Sequence, residues 1–253
     1  MGTMLICEDC LKGLVNGETL FDAIFLDPPD NLSQAYLEYR DKRTDYEAWL
    51  GMLLRAADGR TEGPIWVSHF HRWTAALLGH AVKLVSHDER RLFIWRYTFG
   101  QHQQRDCGNG YRPILRLARK GFTWLTDAIR EPSARQTKYG DKRADPRGRV
   151  PDDVWEFPRV CGTYKERRNW SPNQHPIALM KRIVALSCPP GGTVLDLFGG
   201  TMATARACRE LGVHCVTYEI SRKVCEQAAA DLGLIKFTEN AWRSPTDVAA
   251  HPR

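Results

Sequence analysis

An open α/β sheet with helices on both faces is the fold class this sequence predicts, and three observations predict it. Strand-like and helix-like segments alternate over most of the 253 residues. In "TVLDLFGGTMATARACREL" a strand, a glycine turn and a helix follow in order, and the next strand ends in Glu219, a Rossmann-like succession. Near the start, "FDAIFLDPPDN" sets an almost unbroken apolar run in front of Asp27, Pro28, Pro29, Asp30 and Asn31.

The elements follow in order. Residues 21–26 read as a strand covered on both faces, which puts Asp27 at its carboxyl end, the edge where open α/β sheets bind ligands. The two prolines remove two backbone donors and leave their carbonyls as acceptors. Such a cluster of acceptors suits a substrate that donates hydrogen bonds, such as an amino group; as an isolated segment it also reads as a polar turn. "TDYEAWLGMLLRAADG" has Thr44 and Glu47 in capping-box spacing, Tyr46, Trp49, Leu50, Leu53 and Leu54 on one stripe, and Gly59 as a stop, which predicts a helix. Strands are expected at 64–68, 91–95 and 113–118.

From 119 to 168 the periodicity fades. Thirteen Lys or Arg stand there against eight Asp or Glu, an excess of five that is most of the chain's formal charge of +6. Such a stretch is either a solvated insertion or, beside a base-binding site, the part that faces a nucleic-acid groove. After Trp170 the pattern returns. Pro176 opens a helix whose stripe is Ile177, Met180, Ile183 and Val184, and "TVLDLF", "MATARACREL", "VHCVTYE" and "SRKVCEQAAADL" read as strand, helix, strand, helix.

Gly199 and Gly200 allow close backbone approach to a ligand, and Glu219 stands where a carboxylate accepts from ribose hydroxyls. The dinucleotide pattern G-x-G-x-x-G is absent, as is the phosphate loop. Eight scattered cysteines read as thiols; the single C-x-x-C at Cys7 and Cys10 and the pair His69 and His71 give no reason to expect a metal. No apolar run approaches the ~18 residues of a membrane span. The expectation is a cytoplasmic protein with no membrane partner.

"VLDLFGGTMATARACRELG" resembles the S-adenosylmethionine motif of amino-group DNA methyltransferases, D-P-F-x-G-S-G-T, and "LDPPDN" resembles their D-P-P-Y motif. "VWEFPRV" and "ERRNWSPNQHPIALMKRIV" continue the likeness, with a tryptophan strand and then H-P-T-Q-K-P. The catalytic motif comes first and the cofactor motif last, as in the β arrangement of that family, which includes many phage and bacterial modification enzymes. The resemblance implies a methyltransferase sheet with a catalytic half at 1–118, a basic target-recognition insertion at 119–170, a cofactor half at 171–238 and a tail at 239–253. It implies S-adenosyl-L-methionine as cofactor and DNA as partner, with a homodimer compatible.

Carried over residue by residue, the catalytic motif falls on Asp27, Pro28, Pro29 and Asp30. Cofactor contacts fall on Asp9, Gln174, His175, Pro176, Asp196, Phe198, Gly199, Gly200, Thr201, Thr204 and Glu219. DNA contacts are expected from Arg135, Lys138, Lys142, Arg143, Arg147, Arg149, Lys165, Arg167 and Arg168. Asp27 would accept one hydrogen of an exocyclic amino group and the Pro28 carbonyl the other, on a base flipped out of the duplex. Three positions depart from the family: Asp30 where an aromatic ring stacks on the base, Met202 where the cofactor turn has glycine, and His175 where lysine is usual. D-P-P favours adenine N6 as acceptor; cytosine N4, or a DNA-binding protein that keeps the fold without catalysis, are the alternatives.

Overall fold

The computed structural model describes residues 2–245. The chain begins with β1 (Thr3–Cys7), α1 (Cys10–Asn16), β2 (Ala23–Leu26), α2 (Tyr46–Asp58), β3 (Ile65–Ser68) and α3 (Thr74–Ala81). A long hairpin follows, β4 (Glu89–Gln101) and β5 (Asn109–Ala118), then the single-turn α4 (Ala134–Thr137) and β6 (Val154–Phe157). The rest is α5 (Ile177–Ser187), β7 (Thr193–Asp196), α6 (Ala203–Leu211), β8 (His214–Glu219), α7 (Arg222–Leu232), β9 (Ile235–Thr238) and β10 (Ala241–Arg243).

The strands form one sheet in the order β6-β4-β5-β3-β2-β7-β8-β1-β10-β9. Its centre, β3-β2-β7-β8-β1, is parallel throughout. β5 runs antiparallel between β3 and β4. Alternate residues of β2 go to opposite faces: Ile24 and Leu26 pack with α1, α2 and α3, while Ala23 and Phe25 pack with α5 and α6. Burial on both faces is why this strand is almost purely apolar. From β2 the chain continues outward to β3, whereas from β7 it continues the other way to β8. The carboxyl ends of β2 and β7 therefore flank the point where the winding reverses, the place where such sheets open a crevice.

Three expectations need correction. α2 starts at Tyr46, and its N-cap Asp45 makes no side-chain cap bond, because Arg43 takes the Asp45 carboxylate at 2.9 and 3.1 Å. The expected capping box of Thr44 and Glu47 does not form. β4 and β5 are longer than the apolar runs 91–95 and 113–118: Arg96 pairs with Tyr111, and after an irregularity in register Gln101 pairs with Asn109. In β4 the alternation of Phe93, Trp95, Tyr97 and Phe99 continues past residue 95 and signals the longer strand.

The sheet also crosses the boundaries expected between segments. Val154–Phe157, inside the basic stretch, pairs with β4 as an edge strand. Ala241–Arg243, past residue 238, pairs with both β1 and β9. Residues 246–253 of the expected tail lie outside the described residues.

Candidate active site

The turn after β2 is held from three sides. The Tyr46 hydroxyl donates to the Pro29 carbonyl at 2.5 Å, and the Trp73 indole donates to the Asp30 carbonyl at 2.9 Å. Asn31 has φ +57°, in the left-handed region that Asn tolerates best, and its amide side chain pairs with both backbone groups of Arg43. Of the two proline carbonyls expected to be open, Pro29 is thus occupied. No hydrogen bond among the described residues engages that of Pro28.

Arg112 of β5 reaches into this turn. Its Nη2 lies 2.8 Å from Asp27 Oδ1 and 2.9 Å from Asp30 Oδ1, its Nη1 is 3.1 Å from Asp30 Oδ2, and its Nε is 2.7 Å from Ser68 Oγ. Ser68 Oγ lies 2.8 Å from His175 Nε2, and His175 Nδ1 lies 3.3 Å from Asp27 Oδ2. Burial holds His175 below the usual imidazole range, against the pull of Asp27, so the ring is neutral at neutral pH. Burial works against the Arg112 cation, but Asp27 and Asp30 more than offset it and raise its pKa. The departures at positions 30 and 175 thus belong to one polar cluster, which sequence reasoning missed.

The second motif lies beside the first. Phe25 is in register with Asp196, and the Leu197 amide donates to the Phe25 carbonyl at 3.1 Å. Asp196 is buried, which pushes its carboxyl up to about 6 against hydrogen bonds from Thr204 and the Phe198 amide. The two glycines have different reasons. At Gly199 a Cβ would meet Met202 and Thr217 at 2.6 Å, whereas Gly200 sits at φ +49°. Met202 also has positive φ, +60°, and its side chain is fully buried in the core beneath α6. Glu219, at the end of β8, accepts from the amides of Gly200 and Ser221, both at 2.9 Å. Its pKa is raised by burial.

Both motifs open into one cavity of about 350 Å³. Asp27, Pro28, Pro29, Asp30 and Arg112 line one side; Asp9, Asp196, Phe198, Gly199, Gly200, Thr201, Thr204 and Glu219 line the other, and His175 lies between. Asp9 is also the N-cap of α1, accepting from the Leu11 amide at 2.9 Å. Gln174 and Pro176 are not among the lining residues: Gln174 holds the Arg168 amide and the Glu166 carbonyl, and Pro176 caps α5. The segment 31–45 spans the cavity as a strap. Its Glu38 accepts from Ser221 Oγ at 2.6 Å and the Lys223 amide at 3.0 Å, and Tyr36 and Tyr39 on it stack with centroids 4.8 Å apart.

The basic residues divide. Segment 119–153 leaves β5 and rejoins the sheet at β6 on the edge opposite the cavity, since the hairpin arms pair Glu89 with Ala118 there and Asp153 binds Arg91. Within it Arg135 and Arg143 hold Asp141, Arg147 holds Asp145 and Asp127, and Arg149 holds Glu131 and Asp152. Lys138 lies over the Tyr139 ring, and Lys142 is exposed. Both ends of residues 119–153, the larger part of the stretch expected to face a groove, are therefore anchored away from the cleft, and most of the charge of that part is spent on local carboxylates. Arg168 binds Asp231 of α7. Lys165 and Arg167 have no carboxylate partner among the described residues. The hairpin tip, exposed residues 102–108, projects from the cavity edge. The sequence reading overlooked it.

Residues 21–230 match the model of the N6/N4 DNA methylase family, and the chain belongs to that family. It is 28% identical over 267 aligned residues to the type II methyltransferase M.HpaI of Haemophilus parainfluenzae, covering 98% of this chain and 82% of that one. To the DNA adenine methyltransferase YhdJ of Escherichia coli it is 29% identical, over 79% of this chain and 72% of the other. Among solved structures, the M1.HpyAVI–SAM complex superposes with a TM-score of 0.63 at 17% identity, over 92% of this chain and all of that one. The cytosine-N4-specific PvuII DNA methyltransferase gives 0.68 at 11% identity, over 90% and 86%. These two likenesses are likenesses of fold.

Proposed function

We propose that this chain transfers a methyl group from S-adenosyl-L-methionine to the exocyclic amino group of a DNA base swung out of the duplex, with adenine N6 as the acceptor. The observation that carries the reading is the shared cavity, in which the Asp27 carboxylate and the unoccupied Pro28 carbonyl stand beside the cofactor turn.

The lining suits that cofactor. Its carboxylates Asp9, Asp196 and Glu219 complement a ligand that carries positive charge and hydroxyl donors, and the glycine turn lets the backbone come close. Glu219 and Asp196 would hold the ribose and amino-acid ends, with Phe198 and Asp9 toward the base. When bound, S-adenosylmethionine supplies an electrophilic methyl on a sulfonium centre. The protein's part is to orient the acceptor. An exocyclic amino nitrogen is a poor nucleophile because its lone pair is delocalised into the ring. With one hydrogen on Asp27 and the other on Pro28, that lone pair is turned toward the cofactor side of the cavity. Positioning and fixed acceptors are the terms that lower such barriers most.

The adenine reading draws on the D-P-P tripeptide and on the relative named as an adenine methyltransferase. For the DNA face, we assign the hairpin tip with His102, Gln103, Gln104 and Arg105, together with Lys165 and Arg167. A two-stranded ribbon fits the major groove, where Gln and Arg side chains read base edges. Incubation with tritium-labelled cofactor and DNA, followed by nucleoside analysis, tests the whole reading. Label in N6-methyladenine is expected. Label in N4-methylcytosine would overturn the choice of base, and no transfer to any DNA would overturn the activity.

A further inference from the structure

Position 30 carries a carboxylate where the family resemblance leads one to expect a ring, and that carboxylate is buried and bidentate on Arg112. One consistent assignment of donors and acceptors starts from Arg112. Arg112 has only donors, so Ser68 Oγ accepts from its Nε and is free to donate its own hydrogen to His175 Nε2. A neutral His175 that accepts at Nε2 carries its hydrogen on Nδ1, which then faces Asp27 Oδ2. Asp27 Oδ1 accepts from Arg112 Nη2, and its Oδ2 lies 3.3 Å from His175 Nδ1. Each carboxylate oxygen keeps a further lone pair for a substrate.

We infer that Asp30 and Arg112 form a positioning unit that fixes the plane and charge of the Asp27 carboxylate for its amino acceptor, with Ser68 and His175 closing the circuit. An arginine alone beside Asp27 would draw that carboxylate into a closed ion pair and weaken it as an acceptor. Asp30 takes the fork edge of the guanidinium, so the three groups together carry one net negative charge, and Asp27 receives a single N–H from Arg112. The aromatic ring of the family pattern is exchanged here for this arrangement. Asp30 thus acts through Arg112 on Asp27, as a positioning residue.

The inference rests on the methyl-transfer reading, and the test separates the two. Methyl transfer to DNA is followed for the full chain and for Asp30→Asn, Arg112→Ala, Arg112→Lys and the double variant Asp30→Asn/Arg112→Ala, with calorimetric cofactor binding measured on each. Each single variant is expected to lose kcat at least tenfold, with cofactor affinity within about threefold. The double variant should be no slower than Arg112→Ala, because neither group positions Asp27 without the other. Added guanidinium ion should restore at least fivefold of the activity lost in Arg112→Ala, which a general loss of structure would not allow. Single variants within twofold of the parent, or losses that multiply in the double variant, would overturn the positioning role. So would loss of cofactor binding in all four, Arg112→Lys included, because it marks a scaffold function. An inactive parent chain would instead sink the methyl-transfer reading, and the inference with it.

Discussion

Phe25 of β2 lies opposite Asp196 of β7 in a parallel pair, and two residues past Phe25 the chain reaches Asp27. One register between neighbouring strands thus brings a residue from near the start of the chain beside a turn some 170 positions later. If that geometry serves methyl transfer, Asp27→Ala removes an acceptor from the nucleophile without touching the cofactor turn. The expected loss in kcat is on the order of 10²–10⁴. Cofactor affinity should stay within a few fold by calorimetry. A variant that instead loses cofactor binding and keeps its turnover would remove Asp27 from that role.

Asp196 sets a pH dependence. Its folded value of about 6 lies above the ordinary carboxylate value, so the folded chain without ligand holds the proton more tightly than the unfolded chain. Asp196 therefore contributes stability that is fully present below about 4, is lost as pH rises through about 6, and is absent at neutral pH. A ligand with positive charge favours the ionised form. Cofactor affinity should be level above pH 7 and fall below pH 6, by up to tenfold per unit. In Asp196→Asn that slope should flatten. Calorimetry at pH 5, 6, 7 and 8 on both proteins checks it, and a parallel pH dependence in the variant would assign the effect elsewhere.

Much of this arrangement was legible beforehand, and the reason is physical. Buried parallel strands must be apolar on both faces, so residues 21–26 and 193–198 declared themselves, and the polar residues that end them stood out. Arg112 did not. In "GYRPILRLA" it reads as one polar position of an alternating strand, and only the antiparallel seating of β5 beside β3 carries it to Asp27, 85 positions away. A signal was present, because a carboxylate in place of a ring at position 30 calls for a buried cation. Residues 119–153 of the basic stretch were misplaced for a related reason: charge composition says nothing about which end of a sheet a segment occupies.

Met202 gives a stability test. A non-glycine residue in the left-handed region costs roughly 1–2 kcal/mol, which Met202→Gly would recover. The same change empties a fully buried site, and truncation of a buried Met costs about 2–5 kcal/mol. Burial wins, so the variant should be less stable by about 1–3 kcal/mol in urea unfolding despite restoring the family's glycine. A gain in stability would show that backbone strain dominates at this turn.

The strap across the cavity is tied down at Glu38, whose carboxylate is held below its usual range by the Ser221 hydroxyl and the Lys223 amide. Glu38→Ala removes both ties at the start of α7 without altering a residue of either motif. Cofactor dissociation should become about three- to tenfold faster by stopped-flow, while methyl transfer at saturating cofactor stays within twofold. An unchanged dissociation rate would mean that the strap is held by its own turn, where Asp41 accepts from the amides of Leu32 and Gln34.

DNA binding separates the two groups of basic residues. A side chain that neutralises a phosphate contributes about 0.9 to the slope of log affinity against log salt. Lys165 and Arg167 have no carboxylate partner among the described residues, so Lys165→Ala/Arg167→Ala should lower the slope by between 1 and 2 and weaken binding on all sequences alike. Arg143→Ala and Arg147→Ala remove cations already paired with Asp141 and Asp145, in a segment anchored on the opposite edge of the sheet. They should leave the slope unchanged. Arg105→Ala, at the hairpin tip, should lower the preference for the target sequence more than it changes the slope, because a side chain on a base edge carries specificity that a phosphate contact lacks. Fluorescence anisotropy at four salt concentrations, with target and scrambled duplexes, reads both quantities. A slope that moves with Arg143 and Arg147, and not with Lys165 and Arg167, would transfer the DNA face to the other edge of the sheet.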